Sequence, residues 1–446
     1  MKNYKLFKNA ILVNEGRSFE SDLLVYGDRI KRIDRNISHP EAEVIDVNGK
    51  LLIPGCIDDQ VHFREPGLTH KADIHTESSA ALAGGVTSFM EMPNTIPNAL
   101  TPEILEAKYE IAAQKSMANY SFYMGVSNDN LEHVLRVNYD QVCGIKVFMG
   151  SSTGGMLVDE PNTLEALFSR APVLIATHCE DEATIRKNLE KALIKYGNKI
   201  PESEHPIIRN HEACMISSGL AISLAKKHDT RLHVLHLTTA QETEMFNHNI
   251  PLENKRITSE VCVHHLYFDN RDYARLGNLI KCNPAIKTEI DKQTLCKALK
   301  EGKIDVIATD HAPHTLEEKS RDYLEAPSGL PLVQHPLNIM LTLGKEHGWG
   351  IEFIVEKMAH NPAICFGIKN RGFLREEYFA DLVILDPTSH LTVRKEDLLY
   401  KCGWSPIEGA ILEGKILSTF VNGHLAFDGH KVLPISHGAR LSFDRN

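Results

Sequence analysis

An apolar run, "LLIPGCI", passes directly into "DDQVHFR" at residues 58–64. On an extended strand alternate side chains share a face, so Gln60, His62 and Arg64 are expected to point the same way. A carboxamide, an imidazole and a guanidinium crowded at the end of a buried strand are costly unless they hold something. The pattern recurs: Asn94, Lys146, His178, His236, and Asp310 with His314 beyond it, all close or follow short apolar runs. A single histidine at a strand end is usually a hydrogen-bonded structural residue. His62, His178, His236 and Asp310 converging from separate strand ends fit a divalent-metal site better, zinc above all. Arg64 beside them could grip a carboxylate with two parallel hydrogen bonds.

The elements that must position these residues are short β-rich runs ending in polar residues, each followed by a stretch of helical character. Eight such runs stand between about residues 54 and 314: "PGCIDDQVHF", "GVTSFMEMPN", "NYSFYMGVS", "CGIKVFMGS", "PVLIATHCED", "RLHVLHLTT", "RITSEVCVHH" and "IDVIATDHAPH". Strands alternating with helices argue for parallel β/α architecture, and eight of them for a closed (β/α)8 TIM-type barrel, whose strand C-termini form the mouth where catalytic residues gather. An open doubly wound sheet is the alternative, weakened because no glycine-rich phosphate loop follows the first strand. Among the helices, "NHEACMISSGLAISLAKKHD" offers Ala213, Ile216, Leu220 and Leu224 as a buried stripe. The flanks differ from this body. Residues 1–53 and 371–446 carry short strand patterns with Gly and Asn-Gly turns, so a small β-sandwich built from both ends is expected around a barrel of residues 54–370. The glycine-bearing "GSSTGGM" after the fourth strand is a candidate for a loop that closes over the site.

At 446 residues the chain exceeds one ordinary core. Its apolar content of 42% and charged content of 24% are those of a soluble globular protein. A formal charge of −10 argues against nucleic-acid or anionic-membrane binding. The nine cysteines show no CxxC spacing, which reads as reduced, buried thiols. No run approaches membrane-spanning length and the N-terminus lacks a signal pattern, so a cytoplasmic enzyme is expected.

The motifs "HFREPG", "MPNT", "IKVFMG", "ATHCED", "HVLHLTT", "TSEVCVHHL", "NPAIK" and "IDVIATDHAPHTLEEK", with the late "ADLVILDP" and "SPIEGAILEGKI", resemble the dihydroorotase family of the amidohydrolase superfamily from about residue 50 to 425. The resemblance implies reversible hydrolysis of dihydroorotate to N-carbamoyl-L-aspartate in pyrimidine biosynthesis, with that small molecule as partner and a homodimer as a candidate assembly. It implies one or two zinc ions, one on His62 and Asp310, the other on His178 and His236. A carboxylated Lys146 would bridge them, and its apolar neighbours Ile145, Val147 and Phe148 favour the neutral amine that adds carbon dioxide. Asp310 would act as general base and then acid. Arg64, Asn94 and His314 would hold the substrate carboxylate, with Asn283 close to the substrate. Ser328 and Gly329 would touch substrate through the backbone, and Lys287 would stand on the rim. His264 and His265 are expected to be structural. Gln60 departs from the family's His-x-His, and as a weaker neutral ligand it predicts an asymmetric centre. Two alternatives stay open: another cyclic-amide hydrolase of allantoinase or dihydropyrimidinase type, and a catalytically impaired partner of another pyrimidine enzyme.

Overall fold

The computed structural model describes residues 4–150, 155–434 and 438–445. Eight parallel strand positions close into a barrel. They are Cys56–Val61, Val86–Glu91, Asn119–Phe122 continued by Met124–Gly125, Ile145–Phe148, Ile175–His178, Leu232–Val234, Ile257–Cys262 and Val306–Ala308. Neighbours pair in parallel around the ring. The last strand meets the first through a Val61–His311 bridge and a 2.7 Å bond from the His62 amide to the His311 carbonyl. These strands are buried almost throughout, because helices cover the outside and side chains fill the inside. That double burial is why they appear in the sequence as continuous apolar runs rather than alternating ones.

The helices are punctuated by ordinary end chemistry. Glu289–Glu301 starts from Thr288 in a reciprocal capping box with Asp291, and stops at left-handed Gly302. His211–His228 starts from Asn210, whose side chain accepts the Ala213 amide. Its buried face keeps only half of the expected stripe, Ala213 and Leu224. Ile216 and Leu220 are 47% and 46% exposed, while Ala213, Cys214, Ser217, Ser218, Ala221, Ile222 and Ala225 face inward. Small side chains at four-residue spacing let the helix lie close against its neighbours, and that closeness turns the larger pair outward.

The two ends of the chain meet in one eight-stranded sheet. Leu51–Pro54 joins them: it runs parallel to Tyr4–Asn14 on one side and antiparallel to Leu382–Thr392 on the other. The sheet folds over its own core, so that Phe7 and Phe420 meet edge to face with centroids 5.0 Å apart. The hairpin between Ile411–Val421 and His424–Phe427 turns at Asn422-Gly423, both with positive φ, and a Cβ on Gly423 would lie 2.2 Å from the Gly27 carbonyl. "RKEDLL", within the expected late strand pattern, holds a short 3-10 turn at Lys395–Asp397 instead. Residues 438–445 leave the sheet and return to the barrel, where the Tyr120 amide donates to Ala439 O and Phe443 is fully buried. Residues 151–154 of "GSSTGGM" lie outside the described residues. The described cysteines are free thiols. No helix among the described residues is long and apolar enough to cross a membrane.

Candidate active site

The C-terminal ends of the barrel strands open on a cavity of about 430 Å3. Gln60, His62 and Arg64 reach it from the first strand, Asn94 from beyond the second, and Lys146 from the fourth. His178 and His236 follow from the fifth and sixth, Asn283 from the loop after the seventh, and Asp310 and His314 from beyond the eighth. The expected residues thus share one space, although not all by simple strand alternation. The first strand ends at Val61, and Arg64 sits beyond it at φ 69°; His236 and Asp310 are also left-handed, at φ 40° and 45°. Non-glycine residues adopt that region at a cost of about 1–3 kcal/mol each, so something must hold them there. Glu91 Oε1 takes the Arg64 amide at 3.1 Å, and Glu260 Oε1 takes the His236 amide at 3.1 Å. Glu91 is itself neutralised inside the protein by Lys108 Nζ at 2.9 Å.

One side of the cavity gathers nitrogen donors. His178 Nε2 donates to Glu180 Oε2 at 2.9 Å, which leaves His178 Nδ1 as the lone pair facing His236 Nε2, also at 2.9 Å. Arg209 Nη1 fixes Glu180 from behind at 2.6 Å. Burial opposes the Glu180 charge, but Arg209 and His178 outweigh it and hold the carboxyl down at about 2. Burial lowers His178 and pushes His236 well below the usual imidazole range, the latter helped by His178 and Lys146, so both rings are neutral. Lys146 Nζ and His236 Nδ1 are buried without a hydrogen-bond partner, and burial brings the Lys146 ammonium down to about 7. Two neutral imidazoles converging beside an unsatisfied lysine nitrogen fit a divalent ion.

On the other side, His62 Nε2 lies 3.2 Å from Asp310 Oδ1, and Gln60 Nε2 donates to the same oxygen at 3.0 Å. Asn94 Oδ1 stands 2.8 Å from His62 Nδ1, so Asn94 orients a ring as well as facing the cavity. At the third side, Arg64 Nε donates to Pro313 O at 3.1 Å and its Nη2 lies 3.1 Å from His314 Nε2. Lys71 can only donate, so its 3.0 Å contact makes His314 Nδ1 the acceptor and leaves Nε2–H for Ser328 O at 3.0 Å. Burial lowers the Arg64 guanidinium to about 10, and it remains a cation. It does not pair with adjacent Glu65, which is held by Lys115 and the Ile74 amide.

Other expectations resolve differently. Ser328 and Gly329 line the cavity, but Lys287 does not: it is 3% exposed and its ammonium donates to Ala285 O. The rim role fails because the ammonium turns back to the Ala285 carbonyl and is buried there. His264 and His265 lie on a short helix, Val263–Tyr267, outside the cavity lining, with His265 Nε2 on Pro284 O. Inside the barrel, away from the cavity lining, Asp59, His233 and Glu260 form a fully buried cluster. Burial would lower His233, but hydrogen bonds to the two carboxylates, at 3.3 and 3.4 Å, outweigh it and raise the ring to about 9. The supporting residues Glu91, Glu180, Glu260 and Lys71 were not anticipated. Only Glu180 left a trace, as an acid two positions after a ligand candidate on the same strand run.

An amidohydrolase family model matches residues 210–426, and a dihydro-orotase-like model matches residues 49–134. The dihydroorotase of Methanosarcina mazei is 33% identical over 92% of this chain and 90% of its own length. That of Pyrococcus abyssi is 30% identical over 96% of each. In three dimensions the L-hydantoinase (dihydropyrimidinase) of Arthrobacter aurescens superposes with a TM-score of 0.93 at 26% identity, over 98% of this chain and 99% of that one. The hydantoinase shares the barrel and its attached sheet, whereas the sequence relationship over nearly the full length is to dihydroorotases: this chain belongs to the dihydroorotase family of amidohydrolases.

Proposed function

We propose that the protein is a zinc-dependent dihydroorotase, catalysing the reversible hydrolysis of dihydroorotate to N-carbamoyl-L-aspartate. The observation that carries this reading is Arg64, a buried guanidinium on the same 430 Å3 cavity as the converging His178 and His236 nitrogens. A neutral hydantoin or dihydropyrimidine would leave that cation without a partner, while dihydroorotate brings a carboxylate to it. Lys146, His178 and His236 would hold the ion, with Lys146 as its carbamate. When bound, the ion polarises a carbonyl and lowers the pKa of a neighbouring water. Arg64, with His314 and Asn94 near it, holds the substrate carboxylate and so fixes the ring amide over the ion-binding side. Asp310 takes the proton of the attacking water as the new C–O bond forms. It returns that proton to the ring nitrogen as the C–N bond breaks, leaving a ureido group and a carboxylic acid that gives up the water's second proton to solvent as it ionises. Ring closure runs the same steps backwards.

Purified protein supplied with zinc should turn over dihydroorotate, stop when the ion is chelated, and leave hydantoin and dihydrouracil largely untouched. Turnover of the neutral rings in preference to dihydroorotate would replace this reading with that of a hydantoinase. Absence of turnover of all three would favour a non-catalytic relative.

The carbamate carries its own pH signature. Only the neutral amine adds carbon dioxide, releasing one proton, and burial sets Lys146 near 7. Raising the pH from 6 to 8 therefore moves the amine from mostly protonated to mostly free, about a tenfold gain in the reactive form. Reconstitution of metal-free protein with zinc, at a dissolved carbon dioxide concentration held equal at each pH, should accelerate by about that factor. A rate flat across this range would argue against carbamate formation at Lys146.

A further inference from the structure

Gln60 is the residue that breaks the family pattern, and its surroundings explain what it does instead. An ionised carboxylate only accepts hydrogen bonds, so the end of Gln60 that faces Asp310 Oδ1 at 3.0 Å must be its NH2 group. That choice fixes the other end. Gln60 Oε1, the one atom of this side chain able to bind a metal, points to the Cys262 thiol, with Sγ 3.8 Å away. Gln60 is 2% exposed and Cys262 fully buried, so the contact with the thiol lies inside the barrel wall. The second acceptor near the thiol, Glu260 Oε1 at 3.9 Å, already receives the His236 amide. Turning the amide to free its oxygen would set oxygen against oxygen at Asp310 and NH2 against the thiol.

We propose that Gln60 is a positioning residue for Asp310, braced by Cys262, and not a metal ligand. Histidine at this place would offer a lone pair to an ion. Glutamine offers a fixed donor to the carboxylate that must carry the proton, and the thiol on the seventh strand keeps that donor turned the right way. The inference rests on the role given to Asp310 above.

The test separates the two readings. Zinc content per chain is measured for the wild type and for Gln60→Ala after loading and gel filtration, and kcat and KM are measured on the same samples. A positioning role predicts equal zinc content, kcat lower by about 10- to 100-fold, and KM little changed. Cys262→Ala should lower kcat in the same direction by a smaller factor, about 3-fold, and Cys262→Ser, which keeps a donor, should recover most of that loss. Loss of bound zinc in Gln60→Ala would overturn the proposal and make Gln60 a ligand. Unchanged kcat in a folded Gln60→Ala protein would also overturn it. Zinc content decides the ligand question without any turnover, so failure of the dihydroorotase reading would be recognised separately.

Discussion

Asp310→Asn should lower kcat for dihydroorotate hydrolysis by about 10^2- to 10^4-fold, the range assigned to a positioned general acid–base group. Asparagine has the size of aspartate, and its oxygen can still receive Gln60 Nε2, so the side chain should stay in place. The backbone at φ 45° also favours the change, since asparagine tolerates the left-handed region as well as aspartate does. What asparagine cannot do is take a proton from water and hand it to the ring nitrogen. Because Asp310 also faces His62 Nε2 at 3.2 Å, zinc content must be measured alongside the rate. A large loss of kcat with zinc retained identifies the proton carrier. More than a tenth of wild-type kcat in the loaded variant would place that role on another group.

The residues facing the cavity were legible in the sequence because a barrel strand is short, buried and ends in polar side chains. "IATHCED" and "IDVIATDHAPH" show both features within a few positions. The residues that hold them were not legible, since each acts across strands. Glu91 sits at the end of the second strand yet supports the backbone of Arg64 after the first, and Glu260 on the seventh supports His236 after the sixth. Nothing local announces such a pairing. Backbone hand was hidden for the same reason: Arg64 reaches the cavity through a left-handed turn, although strict alternation predicts the same side. Among the helices the period was visible but the phase was not. Ser217, Ser218 and Ala221 could form the buried seam of His211–His228 only because the partner surface comes close, a property of the assembled barrel. The joining of the two ends was foreseeable as a sheet, but the place of Leu51–Pro54 between them depends on pairings hundreds of residues apart.

Arg64→Met tests substrate identity rather than chemistry. Arg64 is 7% exposed, and its guanidinium is oriented through Pro313 O. It carries a charge in a site where desolvation is already spent, so its pairing with an incoming carboxylate is worth more than a surface ion pair. Removing one member of such a buried pair costs about 2–5 kcal/mol, which corresponds to a loss in kcat/KM of roughly 30- to several-thousandfold for dihydroorotate. Methionine keeps the length and apolar stem of the side chain and adds no charge. Lys71 remains at the mouth beside His314, and it limits the size of the loss by offering a weaker, more exposed cation. The decisive comparison is with a neutral ring. Hydantoin brings no carboxylate, so its slow turnover should be unchanged or improved by Arg64→Met, and the ratio between the two substrates should collapse. Equal losses for both rings would show that Arg64 supports the cavity wall, through Pro313, and that the carboxylate is recognised elsewhere.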